Sequence, residues 1–129
     1  DDCLAACPWN KFAQAAHEIA FAPRAELVGP DLAELMALDD ATFRAVFSGS
    51  PIKRIGRDRM VRNALIAAGN SANGRYLPQI MLLLDDPAPV VRGAAIWALR
   101  RIAPDRAEVE RDTRLTGEAD ADVRVEWLS

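Results

Sequence analysis

Aromatic side chains make up only 6% of this 129-residue chain. Sheet-rich domains draw on aromatic and β-branched residues, so the shortage argues against a β-sandwich. Histidine is nearly absent: the single one, His17, lies in an Ala-rich stretch with no second ligand nearby and reads as a surface or packing residue. No long apolar run exists. The longest candidate, Ile80 to Leu84, falls far short of the roughly 20 residues a membrane span needs, so no membrane association is expected. The chain opens Asp1-Asp2, with neither a basic leader nor an initiator methionine. It therefore reads as a piece of a longer protein. Its two cysteines, without a secretory signal, point to the cytoplasm, where thiols stay reduced. No Ser-His-Asp set, phosphate-cradling loop or carboxylate pair with a clear role is present, and no catalytic residue is assigned.

What the chain has in quantity is Ala, Leu and Arg. Half of it is hydrophobic and 27% is charged, the balance of a water-soluble helical domain. The net charge of −3 conceals a segregation. Residues 1–50 carry three basic and eight acidic side chains; residues 51–101 carry nine and three; residues 102–129 carry four and eight. A basic block between two acidic ones is a candidate face for an anionic partner. The competing explanation is Arg solvated on helix surfaces.

Residues 1–12 form a cysteine-containing start, and residues 13–56 a helical linker region broken by Pro23 and Gly29-Pro30. Within the linker, Asp31 is placed to cap a short helix, with Glu34 three residues on; Asp39 or Asp40 can cap the next. Ser48-Gly49-Ser50-Pro51 ends that helix. Residues 57–129 repeat. The dipeptide Val-Arg recurs at Val61-Arg62, Val91-Arg92 and Val123-Arg124, 30 and 32 residues apart. Asp85-Asp86-Pro87 and Asp120-Ala121-Asp122 stand just before the second and third copies, where acids suit the positive end of a helix. The intervening helix of the first pair is expected over about Gly74 to Leu84, with Leu77, Ile80, Met81 and Leu84 on one face. The period and the acidic turn resemble short HEAT repeats. The fold class is accordingly all-α: a short α-solenoid whose helix pairs bury their apolar faces only by stacking. Trp97 and Trp127 read as core. Arg92 and Arg124 are expected to pair with the acid of an adjacent turn.

Cys3 and Cys7 are spaced Cys-x3-Cys-Pro, which matches the second half of the bacterial ferredoxin run; on spacing alone two unremarkable thiols read equally well, and the expected architecture is a solenoid preceded by the tail of a ferredoxin-type cluster motif. A 4Fe-4S cluster needs four thiolates and this chain has two, so no complete cluster is expected in it. The wider sequence, Cys3-Leu-Ala-Ala-Cys-Pro-Trp-Asn-Lys-Phe-Ala13, resembles the second ferredoxin motif of the epoxyqueuosine reductases, with its distinctive Pro-Trp-Asn extension. Phe47-Ser-Gly-Ser-Pro-Ile-Lys-Arg-Ile-Gly-Arg-Asp-Arg-Met-Val-Arg-Asn63 is similar to a second stretch of that family, in which HEAT-like repeats follow. The resemblance implies a tRNA-modifying oxidoreductase that reduces epoxyqueuosine to queuosine at the wobble position. It also implies cobalamin and two 4Fe-4S clusters, Cys3 ligating one cluster and Cys7 the other. The cobalamin-binding catalytic domain would lie upstream in the same chain, leaving this part inactive alone and, as expected here, monomeric.

The basic segment joins the two lines of reasoning. Lys53, Arg54, Arg57, Arg59 and Arg62 lie within ten residues, against the single acid Asp58. Ser48, Gly49, Ser50 and Gly56 flank or interrupt them, and such small residues let a phosphate approach backbone N–H groups. Arg grips phosphate with a two-pronged fork and Lys as a point charge. These five residues are the candidate contacts to the anticodon stem-loop of tRNA, with Arg92, Arg100 and Arg101 secondary. The alternative to the enzyme reading is a non-enzymatic HEAT-repeat module that docks a protein. Steep salt dependence separates RNA from protein binding.

Overall fold

A computed structural model describes residues 31–129, together with the isolated positions 6 and 8. The cysteine-containing start and most of the linker, including Cys3, Cys7 and His17, lie outside the described residues. Among residues 31–129 every element is helical: α1 (Leu32–Met36), α2 (Asp40–Val46), α3 (Arg57–Ser71), α4 (Leu77–Leu83), α5 (Pro89–Ile102), α6 (Pro104–Arg114) and α7 (Ala121–Leu128). Short 3-10 turns at Pro51–Ile55, Gly74–Tyr76 and Leu115–Gly117 join them. None of these helices is long and apolar enough to cross a membrane.

The helix starts follow local chemistry. Asp31 caps α1 by accepting the Ala33 N–H at 3.0 Å, and Asp39 caps α2 through Thr42 N–H at 2.7 Å. Asp120 accepts from both Asp122 and Val123 N–H at the start of α7. Proline begins α5 and α6 and sits in the first turn of α4, where its missing N–H is no loss. The expected helix over 74–84 divides: Asn73 caps a 3-10 turn through Arg75 N–H, and the α-helix proper starts at Leu77. In α4 the buried residues are Ile80 and Leu83, with Leu84 just beyond, while Leu77 and Met81 are only partly covered.

The Val-Arg helices are α3, α5 and α7. Their valines enter one continuous core: Val61 and Val91 are fully buried and Val123 nearly so. Helix α3 buries Val61, Ala64, Leu65 and Ala68, the three-and-four spacing that lines one helical face. Helix α5 is central, packing against α3, α4, α6 and α7. Its buried Ala95 and Ala98 let α3 approach closely. Gly69 in α3 completes that approach, because a Cβ there would lie 2.6 Å from Trp97 Cζ3 and 3.1 Å from the Ala98 Cα. Helix α1 packs on α3 and α4 and contributes Met36 to the same core. Trp127 is buried as expected, whereas Trp97 is only partly covered and packs against the core's edge.

Candidate nucleic-acid interface

The basic segment divides between the turn Pro51–Ile55, which carries Lys53 and Arg54, and the first turns of α3, which carry Arg57, Arg59 and Arg62. Phe47 N–H closes the end of α2 on Phe43 carbonyl, and the two phenyl rings pack 4.9 Å apart. Ser50 Oγ then accepts from Ile52 N–H and starts the 3-10 turn. Gly56 follows at φ 80° and ψ 160°, a conformation open almost only to glycine, and α3 begins without a side-chain cap. The chain therefore reverses within a few residues and presents the turn beside the positive end of a four-turn helix.

The structure treats the five cations differently. Lys53, Arg54, Arg59 and Arg62 are exposed and have no carboxylate partner among the described residues. Ile52 and Ile55, a little over a third exposed, flank Lys53 and Arg54. Arg59 and Arg62, three apart on α3, share a face. Arg57 points the other way. Its side chain is 14% exposed; Nε donates to Leu38 carbonyl at 2.8 Å and Nη2 pairs with Asp86 at 2.7 Å. Nη1 reaches Asp58 at 3.2 Å. Arg57 is thus tied to three protein oxygens and largely covered, whereas the other four cations face solvent.

The secondary candidates also resolve. Arg92 forms a two-pronged pair with Glu118, at 3.0 and 2.8 Å, and donates to Asp86 carbonyl at 2.9 Å. That is the adjacent-turn acid its position called for. Arg124 instead donates to two turn carbonyls, Leu115 at 3.0 Å and Glu118 at 3.1 Å. Arg100 donates to Glu126 carbonyl at 2.7 Å. Arg101 is exposed and lies over the Trp97 ring, 5.1 Å from its centroid. The Glu118 carboxyl is held below the usual glutamate range, first by the Arg92 hydrogen bonds, with burial opposing. Glu110 is lowered likewise, first by Arg114.

A groove of about 770 Å³ runs between α3, α5 and α7. Ile66, Val90 and Trp97 line it, with Arg62 on one wall and Asp122 and Glu126 on the other. The sequence analysis did not single it out. Its signal was the one-sided burial of Trp97, which composition and spacing do not reveal.

No group of three or more His, Cys, Asp or Glu side chains that could hold a metal occurs among the described residues. The two cysteines of the sequence supply half of a four-thiolate set.

Comparison with known proteins places these features. A HEAT repeat model matches residues 77–105, which take in α4 and α5. The epoxyqueuosine reductase of Alicycliphilus denitrificans is 39% identical over 107 residues, covering 77% of this chain and 30% of that protein. That of Yersinia pestis is 45% identical over 110 residues, covering 83% and 26%. A solved epoxyqueuosine reductase in complex with an epoxyqueuosine-modified tRNA stem loop matches with a TM-score of 0.85 at 28% identity, over 98% of this chain and 34% of that one. The chain thus spans less than a third of the length of these curated relatives. On sequence and on fold alike, the chain is similar to one segment of the epoxyqueuosine reductases.

Proposed function

We propose that the chain is the RNA-docking part of an enzyme that reduces epoxyqueuosine to queuosine in tRNA, and that it holds the anticodon stem-loop through Lys53, Arg54, Arg59 and Arg62. The observation that carries this reading is the set of four exposed cations without carboxylate partners, gathered on one turn and the adjoining start of α3. Most other cations of the solenoid are committed to acids or carbonyls, Arg101 over the Trp97 ring excepted, so these four form the cluster best placed to meet a phosphate backbone. The tRNA stem loop bound by a solved relative of the same fold supports the choice of partner. Cytoplasmic residence fits a tRNA substrate.

The cofactor chemistry belongs to the same proposal. Cys3 and Cys7 would each give one thiolate, and the remaining ligands and the cobalamin site would come from upstream sequence. When bound, the clusters and cobalamin would supply the electrons for reduction; this segment's own residues bind and orient RNA.

The test is binding of the chain to an anticodon stem-loop RNA over a series of salt concentrations. Four neutralised phosphates give a log–log salt slope of about −3 to −3.5. A variant with Lys53, Arg54, Arg59 and Arg62 changed to Ala should lose most of that slope. Binding that ignores salt, or survives the fourfold variant, would sink the reading and favour a protein partner in the groove beside Trp97.

A further inference from the structure

We infer that Arg57 and Asp86 are positioning residues for the RNA-contacting turn: they fix its orientation against the solenoid without touching RNA. The inference rests on the RNA reading above. It starts from Gly56, whose φ of 80° and ψ of 160° need a glycine, so the turn joins α3 through a residue with few steric limits of its own. The next residue, Arg57, supplies the limit. Its guanidinium ties the start of α3 to Leu38 carbonyl, beyond the end of α1, and to the Asp86 carboxylate in the turn between α4 and α5.

Asp86 is well placed to be the anchor. It is the one buried charged side chain among the described residues, at 8% exposed. Its Oδ1 accepts from Ala88 N–H at 2.9 Å, its Oδ2 meets Arg57, and its carbonyl accepts from Arg92. Arg92 continues to Glu118, whose Oε1 also accepts from Asp120 N–H at 2.9 Å. A polar spine therefore runs from Leu38 through Arg57, Asp86, Arg92 and Glu118, linking successive turns of the stack. The planar Arg fork suits this task because it holds two oxygens at fixed angles, which a Lys ammonium does not. Pre-set orientation raises affinity by removing an ordering cost from the binding step.

The experiment compares the wild-type chain with Arg57→Lys and Asp86→Asn, using an anticodon stem-loop RNA and a salt series. Arg57→Lys keeps the charge but loses the fork. Asp86→Asn removes a negative charge, so simple electrostatics would leave RNA binding unchanged or tighter. Both variants are expected to bind about fivefold more weakly with an unchanged salt slope, since no phosphate contact is lost. Amide hydrogen exchange in residues 52–56 should speed up in both, while the core of α5 keeps its protection. Wild-type affinity in Arg57→Lys overturns the inference, as does Asp86→Asn binding as tightly as wild type. It is also overturned by a slope that falls by about 0.7 to 0.9, the mark of a lost phosphate contact. If Asp86→Asn does not fold, Arg57→Lys alone decides. Absence of RNA binding by the wild-type chain overturns the RNA reading and this role with it.

Discussion

At position 72 an alanine occupies backbone space that favours glycine. Ala72 ends α3 at φ 51° and ψ 26°, the left-handed conformation that costs a residue with a Cβ about 1–2 kcal/mol. Glycine would relieve that cost and give back part of it as unfolded-state entropy. Ala72→Gly is therefore expected to stabilise the chain by about 0.5–1 kcal/mol in urea denaturation, and a loss of stability would contradict the cap geometry. Gly69 argues the opposite way. Alanine there gains up to about 1 kcal/mol of helix propensity but meets the Trp97 ring and the α5 backbone, and overpacking of that kind costs about 1–3 kcal/mol. Gly69→Ala should destabilise on balance, and the double change with Trp97→Leu should recover part of the loss. Neither position was legible in the sequence, where Ala72 and Gly69 are two small residues among many. Their roles depend on which helix lies opposite and on where the chain turns.

At the level of the element, each Val-Arg pair sends its valine into the core, while Arg92 and Arg124 serve the turns and Arg62 stays in solvent. The Arg92–Glu118 pair shows what this contributes. Both side chains are largely buried, 17% and 10% exposed, and joined by two hydrogen bonds. Glu118→Gln should cost about 1.5–3 kcal/mol at pH 7, the usual worth of hydrogen bonds to a charged group. Because the folded-state pKa of Glu118 lies below its unfolded value, the pair's contribution is complete above the ordinary glutamate pKa of about 4.3 and is lost as pH falls through the lowered value. Thermal melts between pH 3 and 7 should thus show a shallower acid limb in Glu118→Gln than in wild type. Glu110, Asp31 and Asp39 lose their own bonds in the same window, so the slope is reduced and not abolished. The spacing of Val-Arg and the acidic turns made α3, α5 and α7 and the partner type of Arg92 readable in advance. The split of 74–84 into a 3-10 turn and a shorter helix was not, because Asn73 and Pro78 act on backbone angles that the apolar pattern ignores.

Over the whole molecule, charge is sorted by whether a cation has an internal partner. The sequence shows a basic block but weights its arginines equally. Arg57 and Arg59 differ by two positions and by nothing in composition, yet one turns inward to Asp86 and the other stays in solvent. Only the stacking of the turns distinguishes them: four of the five basic candidates stay without a carboxylate partner among the described residues, and the fifth is tied to protein oxygens. The cysteine-containing start, read from sequence as the end of a ferredoxin-type motif, lies outside the described residues. In the solenoid, Arg59→Ala and Arg62→Ala should each lower the RNA salt slope by about 0.7 to 0.9 and weaken binding across stem-loop sequences alike. Arg92→Ala should leave the slope unchanged while lowering thermal stability.

The polar spine also bears on how the chain is made. Arg57 and Asp86 are 29 residues apart, and Arg92 and Glu118 are 26 apart. At a synthesis rate of about 5–20 residues per second, each arginine waits roughly 1.5–6 seconds for its acid to be polymerised. Partners about one repeat apart let each layer lock onto the one made before it as the chain leaves the ribosome.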